Sequence, residues 1–83
     1  MRSIFVVSPF DGGWCVKIIS TGEVMFFDTG GQAERRARAL AGEARSYDGE
    51  AEVWVYDRTG RLVGRWVDDR YEIVAPGGEA VAA

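Results

Sequence analysis

The chain has 83 residues, of which 47% are apolar and 28% are charged, and its formal net charge is −3. This composition is typical of a globular domain and excludes a disordered chain. No uncharged apolar stretch approaches the roughly 20 residues that a membrane-spanning helix needs, so helical membrane proteins are excluded as well. The length leaves room for one domain with a modest core.

The cysteine and histidine content limits the disulfides, metal sites and catalytic groups that the chain can form. Cys15 is the single cysteine and has no internal disulfide partner, and the sequence lacks histidine, the commonest general base and zinc ligand. The apolar run near the N-terminus is too short for a signal peptide, and no small-residue cleavage site follows it. We therefore expect a cytoplasmic protein that does not associate with membranes.

Three strands are predicted in the first part of the chain. Residues 4–7 form a short β-rich run, and Asp11-Gly12-Gly13 supplies the positive φ values of a tight hairpin. Residues 14–19 alternate in the manner of a second strand, and a turn leads to a third strand over residues 24–27. These strands should form an antiparallel meander.

A single amphipathic helix is predicted after the third strand. Thr29 and Gln32 have the spacing of a capping box, in which each side chain accepts a hydrogen bond from the other's backbone N–H. The helix carries one narrow apolar stripe of mostly small side chains, which allows it to approach a sheet closely. This stripe consists of Ala33, Ala37, Leu40, Ala41 and Ala44.

Two more strands are predicted after the helix, over residues 52–57 and 62–67, and residues 71–74 fit a short edge strand. Residues 75–83 have the low complexity of a mobile C-terminal tail. The sequence therefore predicts one α+β domain over residues 1–74. Its antiparallel sheet has about five strands in the order β-β-β-α-β-β, and the helix packs on one face.

Several segments carry a resemblance to a known family. They are Val6-Val7-Ser8-Pro9, Asp11-Gly12-Gly13-Trp14-Cys15-Val16-Lys17, Phe27-Asp28-Thr29 ahead of Ala33, Ala37 and Ala41, and the strand and turn over residues 53–60. In these positions, which span most of the chain, the sequence resembles the small prokaryotic proteins catalogued as domain of unknown function 2188. The resemblance implies a fold and a bacterial origin, and it brings no activity or site. Gly30-Gly31 departs from the family's usual pattern.

A second resemblance concerns the layout of the first half. Residues 14–18 and Phe27-Asp28-Thr29 are similar to the meander and helix start of the ethylene-response-factor type of plant DNA-binding domain. In that family, arginines and tryptophans of the sheet enter the major groove. The first three strands here offer only Trp14 and Lys17, so this resemblance implies a fold more than a function.

The predicted sheet has two unequal faces, because one helix covers only one of them. The residues predicted to face the helix are Trp14, Val16, Ile18, Val53, Val55, Leu62 and Trp66. The residues predicted on the opposite face are Cys15, Lys17, Ile19, Trp54, Tyr56, Val63, Arg65 and Val67. The third strand is not assigned by its pattern, since Val24 and Phe26 alternate with the equally apolar Met25 and Phe27.

The opposite face combines aromatic and aliphatic residues with arginine, a composition typical of association surfaces. We therefore expect a non-catalytic binding or self-association module, with a homodimer or a protein partner as the occupant of this face. The candidate partner-binding residues are Lys17, Ile19, Trp54, Tyr56 and Arg65.

Two alternatives remain open for this face. The C-terminal segment could fold back over this face, or the sheet could coil on itself, so that the face is covered within one monomer. In a nucleic-acid-binding platform, Trp54 and Tyr56 would stack bases while Lys17 and Arg65 contact phosphates, although the net negative charge weakens attraction to nucleic acid.

No catalytic, cofactor or metal site is predicted. Cys15 lies within a strand and has no histidine to activate it, so a structural thiol is the preferred interpretation. Gly30-Gly31 lacks both the P-loop lysine spacing and the dinucleotide glycine pattern. The remaining acids lie at turns and strand ends, where such residues are common. These acids are Asp11, Asp28, Asp57, Asp68 and Asp69.

Overall fold

The structure, a computed structural model, describes residues 2–74 and 80–82, with only the backbone for residues 48 and 80–82. These residues form seven strands and one helix. The strands are β1 (Ser3–Phe10), β2 (Gly13–Ile18), β3 (Val24–Phe27), β4 (Ala51–Tyr56), β5 (Leu62–Val67), β6 (Arg70–Val74) and β7 (Ala80–Ala82), and the helix α1 spans Gly30–Asp48.

Two hairpins close through turns of two residues in left-handed conformation. Asp11 and Gly12 have φ values of 49° and 82° between β1 and β2, and Asp68 and Asp69 have values of 49° and 66° between β5 and β6. Positive φ at both central residues matches the strand twist in a tight hairpin, and Asp tolerates this conformation better than most residues. The predicted first hairpin is confirmed, and the second explains how residues 71–74 join the sheet.

All described strands lie in one sheet, in the order β3-β2-β1-β4-β5-β6-β7. Neighbouring strands are antiparallel except β1 and β4, which pair in parallel from Ser3 opposite Ala51 to Val7 opposite Val55. The α+β class with one helix on one face is confirmed. The expectation of a wholly antiparallel sheet of about five strands is corrected: the sheet is mixed and has seven strands. The helical crossover from β3 makes β4 run parallel to β1.

The predicted capping box at the start of α1 is confirmed, and a glycine caps the other end of the helix. The Thr29 hydroxyl accepts a hydrogen bond from the Gln32 backbone N–H at 3.1 Å, and Gln32 Oε1 accepts one from the Thr29 N–H at 3.3 Å. Gly49 follows the last turn with φ 84°, and its N–H donates to the carbonyl of Arg45 at 3.0 Å. The left-handed conformation at this position is typical of glycine after a helix.

The core lies between α1 and the centre of the sheet. The small side chains of the helix stripe pack against fully buried valines on β1, β2 and β4, namely Val7, Val16 and Val53. At the helix start, a Cβ on Gly30 would lie only 3.1 Å from the Trp14 ring, so glycine lets this indole pack against the first turn.

Six of the seven residues predicted to face the helix belong to this core or pack against it, and Leu62 does not. Leu62 pairs with Tyr56 beyond an irregularity in register between Val55 and Tyr56, and it lies at the end of β5 away from the helix-covered centre. Its predicted position in the core is therefore wrong. The C-terminal tail predicted over residues 75–83 lies outside the described residues, apart from Ala80–Ala82, which pair with β6.

Candidate association surface on the open face

The face of the sheet opposite α1, here called the open face, carries most of the predicted partner-binding residues. The strand register aligns Lys17, Val6, Trp54 and Arg65 in one row across four neighbouring strands. Tyr56 lies two residues beyond Trp54 on the same strand. Ile19 lies just after β2, in the turn rather than in the strand as expected, and its side chain is half exposed.

A charged network, consisting of Arg2, Glu52, Trp54, Arg65 and Glu72, occupies the β4–β6 part of the open face. At its centre is Glu52, which is only 4% exposed. Its carboxylate accepts hydrogen bonds from Trp54 Nε1 at 2.9 Å and from the Arg2 guanidinium at 2.5 Å. Arg65 lies 3.7 Å from the same carboxylate and donates to Glu72 at 2.8 Å.

This network changes what the predicted residues offer to a partner. Trp54 and Arg65 are on the expected face, but their polar groups already bind carboxylates of the same chain. The hydrogen bond to Glu52 raises the pKa of Arg2 above its ordinary value. The guanidinium of Arg2 therefore stays charged beside the buried carboxylate. Within the network the two arginines balance the two glutamates, and Glu50 adds a further carboxylate 3.5 Å from Arg2.

Sequence reasoning missed Arg2, Glu52 and Glu72 as members of the open face. The alternation of β4 contained a signal for Glu52, because a residue two positions before Trp54 shares its face. Its proximity to Arg65 follows only from the register of β4 and β5, which pairs Trp54 with Arg65.

The opposite end of the open face is apolar. Phe10, Val24 and Phe26, here called the apolar edge, are 54%, 41% and 63% exposed. The two phenylalanine rings contact each other with centroids 5.2 Å apart and planes tilted by 42°. Met25 and Phe27 instead pack against the core, which settles the orientation of β3 that the sequence pattern left undecided.

Cys15 lies beside the apolar edge but is not accessible. It pairs with Ser8 and with Phe26 across the sheet, and its thiol is free and buried. Its sulfur lies 3.4 Å from the Ser8 hydroxyl oxygen. The structure thus places Cys15 within a strand, as predicted, and with its thiol buried. In the described part of the chain, no group of three or more acidic, cysteine or histidine side chains could hold a metal ion.

A second cluster lies on the helix side and fixes α1 to the later strands. Trp66 Nε1 donates to Glu34 at 2.7 Å, and the Arg38 guanidinium lies 3.7 Å from the centroid of the Trp66 ring. The Tyr71 ring packs against the Trp66 ring with the two centroids 5.1 Å apart. Burial raises the pKa of the Tyr71 hydroxyl, and the nearby carboxylate of Glu34 raises it further.

The comparisons with known proteins add no family. The chain matches no protein-family model, no curated protein and no solved structure. Among residues 2–74 and 80–82, no helix has the length and apolar character needed to cross a membrane.

Proposed function

We propose that this protein is a non-catalytic self-association module that forms a homodimer through the apolar edge of its open face. The exposure of Phe10, Val24 and Phe26 side by side carries the proposal. Fully burying one such side chain stabilises a protein or a complex by about 1.5–3 kcal/mol. A contiguous apolar group of this kind is characteristic of an association site rather than of a solvated surface.

A second copy of the chain fits this surface because the apolar edge contains no charged side chain. Two copies related by a two-fold axis can bring their edges together without burying like charges. Most polar groups of the charged network are paired within one protomer, the exception among the described residues being the buried Arg65 Nε, so the network offers few free groups to a polar partner. In this arrangement Lys17 and Ile19 border the interface, while Trp54, Tyr56 and Arg65 lie farther from its centre.

The nucleic-acid alternative finds less support on this face. Arg65, one of the two cations expected to contact phosphates, is paired with Glu72 and lies close to Glu52. Lys17 remains exposed, but the net charge of −3 opposes association with a polyanion. Membership of the family named above and a cytoplasmic location also stay proposals, supported by the quoted segments and by the free thiol of Cys15.

The test is the molar mass in solution over a range of protein concentrations, measured by sedimentation equilibrium at low and high salt. We expect a dimer that is insensitive to salt, because the proposed contact is apolar. Phe26→Thr keeps a residue suited to strands but removes the ring, and it should shift the protein toward the monomer.

Ile73→Thr is the matched control. Ile73 is 48% exposed, but its register with Gly64 places it on the other face of the sheet. This variant should dimerise like the unmodified protein. A monomer at all concentrations, or equal dimerisation of Phe26→Thr and the unmodified protein, would overturn the proposal. A monomer that binds single-stranded oligonucleotides at low salt would favour the nucleic-acid alternative instead.

A further inference from the structure

The outer edge of β3 has backbone groups without a partner. β3 is the terminal strand of the sheet order, and within residues 2–74 and 80–82 it pairs only with β2. A strand in this position presents a row of N–H and C=O groups that can pair with another strand.

The hydrogen-bond pattern of the hairpin shows which residues of β3 present these groups. The Ile18 N–H donates to the carbonyl of Glu23 at 2.9 Å, and Lys17 is the register partner of Val24. In an antiparallel ladder, hydrogen-bonded and non-hydrogen-bonded pairs alternate, so Lys17 and Val24 form a non-hydrogen-bonded pair. The N–H and C=O groups of Val24 therefore point away from β2, and those of Phe26 do the same.

This edge lacks the features by which proteins usually protect a terminal strand. β3 has the sequence Val-Met-Phe-Phe, which contains no charged residue and no proline. Its register with β2 is continuous from Trp14 to Lys17, so no bulge turns the edge away from an approaching strand. The side chains of Val24 and Phe26 on the same strand are exposed. The unprotected backbone edge and the exposed apolar side chains of β3 thus both favour pairing with another strand.

We propose that β3 pairs with β3 of a second copy in antiparallel orientation, so that one continuous sheet runs through both protomers. This inference rests on the proposed homodimer and specifies its geometry. The two-fold axis passes at Met25, and Val24 lies opposite Phe26 of the second copy. Both outward-pointing residues of each protomer then form hydrogen-bonded pairs, and each cross-strand pair joins an aromatic to a β-branched side chain.

Other symmetric registers would require residues that lie outside the extended strand. Shifting the axis to Val24 would bring Gly22 into the ladder, and Gly22 has φ 78°, which is incompatible with an extended strand. Shifting it to Phe26 would bring in Asp28, which lies outside β3. The register centred on Met25 uses only residues that are already extended.

The experiment compares Val24→Pro with Val24→Ala in sedimentation equilibrium. Both variants lose the valine side chain, but only proline also removes the outward N–H, and this N–H makes no hydrogen bond within the sheet of one protomer. Proline is tolerated at such edge positions. We expect the dimer dissociation constant of Val24→Pro to exceed that of Val24→Ala at least tenfold, because both symmetric copies of the hydrogen bond are lost. Circular dichroism checks that both variants are folded.

A cross-linking measurement gives a second readout that does not depend on proline. In the proposed register the two copies of residue 25 form a non-hydrogen-bonded pair with Cα atoms ~4.5 Å apart, within the range of a disulfide. Met25→Cys should therefore form a covalent dimer under mild oxidation. The unmodified protein is the control, because its Cys15 is buried and should not cross-link.

The outcomes separate this inference from the proposed function. If the unmodified protein is monomeric, both fail. If it is dimeric, but Val24→Pro and Val24→Ala dimerise equally and Met25→Cys does not cross-link, the copies meet through another part of the open face. In that case the edge pairing is refuted while the homodimer stands.

Discussion

Trp54→Phe tests the role of the charged network in stability. The substitution keeps an aromatic ring on the open face but removes the indole N–H that donates to Glu52 at 2.9 Å. The carboxylate of Glu52 is buried, so water cannot replace the lost donor freely. We expect the folded state to be destabilised, although phenylalanine preserves most of the apolar contact area.

The expected magnitude follows from the remaining partners of Glu52. A hydrogen bond to a charged acceptor contributes about 1.5–3 kcal/mol. Since Arg2 and Arg65 still neutralise the carboxylate, the loss should lie at the lower end, about 1.5–2 kcal/mol. For a domain of this size, that corresponds to a decrease in Tm of roughly 6–15 °C.

Urea denaturation followed by far-UV circular dichroism measures this change at one fixed protein concentration, because dimerisation also contributes to apparent stability. Tyr56→Phe is the matched control. It removes a hydroxyl from the same strand and face, and this hydroxyl has no hydrogen bond among the described residues; we expect a change below about 0.5 kcal/mol. Equal stability of Trp54→Phe and Tyr56→Phe would refute the reasoning.

Three further substitutions test the helix cap and the contacts of Tyr71. Thr29→Ala removes the acceptor for the Gln32 N–H and should lower the free energy of unfolding by about 1 kcal/mol in urea denaturation; an unchanged midpoint would contradict this. Gly64→Ala places a Cβ against the Tyr71 hydroxyl and ring, and thermal unfolding should show a loss of about 1–3 kcal/mol, whereas a neutral result would mean that the ring moves aside without cost. Burial and Glu34 raise the pKa of Tyr71, so the folded state favours the neutral hydroxyl, and the resulting stability is present below pH about 10 and is lost as the pH rises through the raised pKa. The Tm of the unmodified protein should therefore fall more steeply above pH about 10 than that of Tyr71→Phe, and parallel curves would exclude this contribution.

The sequence predicted the faces of the central strands because their two faces differ in composition. In β2, Val16 and Ile18 alternate with Lys17, and in β4 the small valines alternate with Trp54 and Tyr56. One face must pack closely on an alanine stripe, and the valines and the isoleucine of these strands suit that space. The structure places these residues in or against the core.

Other features were not predictable from the alternation of single strands. All four residues of β3 are apolar, so the pattern contains no contrast that would assign Val24 and Phe26 to the open face. The charged network depends on the register between strands, which brings Arg65 of β5 to Glu72 of β6. The parallel pairing of β1 with β4 depends on where the helical crossover returns to the sheet, and hairpin signals contain no information on that point.

The position of β1 also has a consequence for synthesis of the chain. β1 lies between β2, its neighbour in sequence, and β4, with which it pairs in parallel from Ser3 opposite Ala51, a separation of 48 residues. While the polypeptide emerges from the ribosome, the first three strands can form a meander well before β4 exists. In that interval β1 and β3 both present open strand edges. We expect the return of β4 over this long loop to be the slow step of folding. Nascent chains that stall before residue 51 are therefore the species in which we expect aggregation to begin.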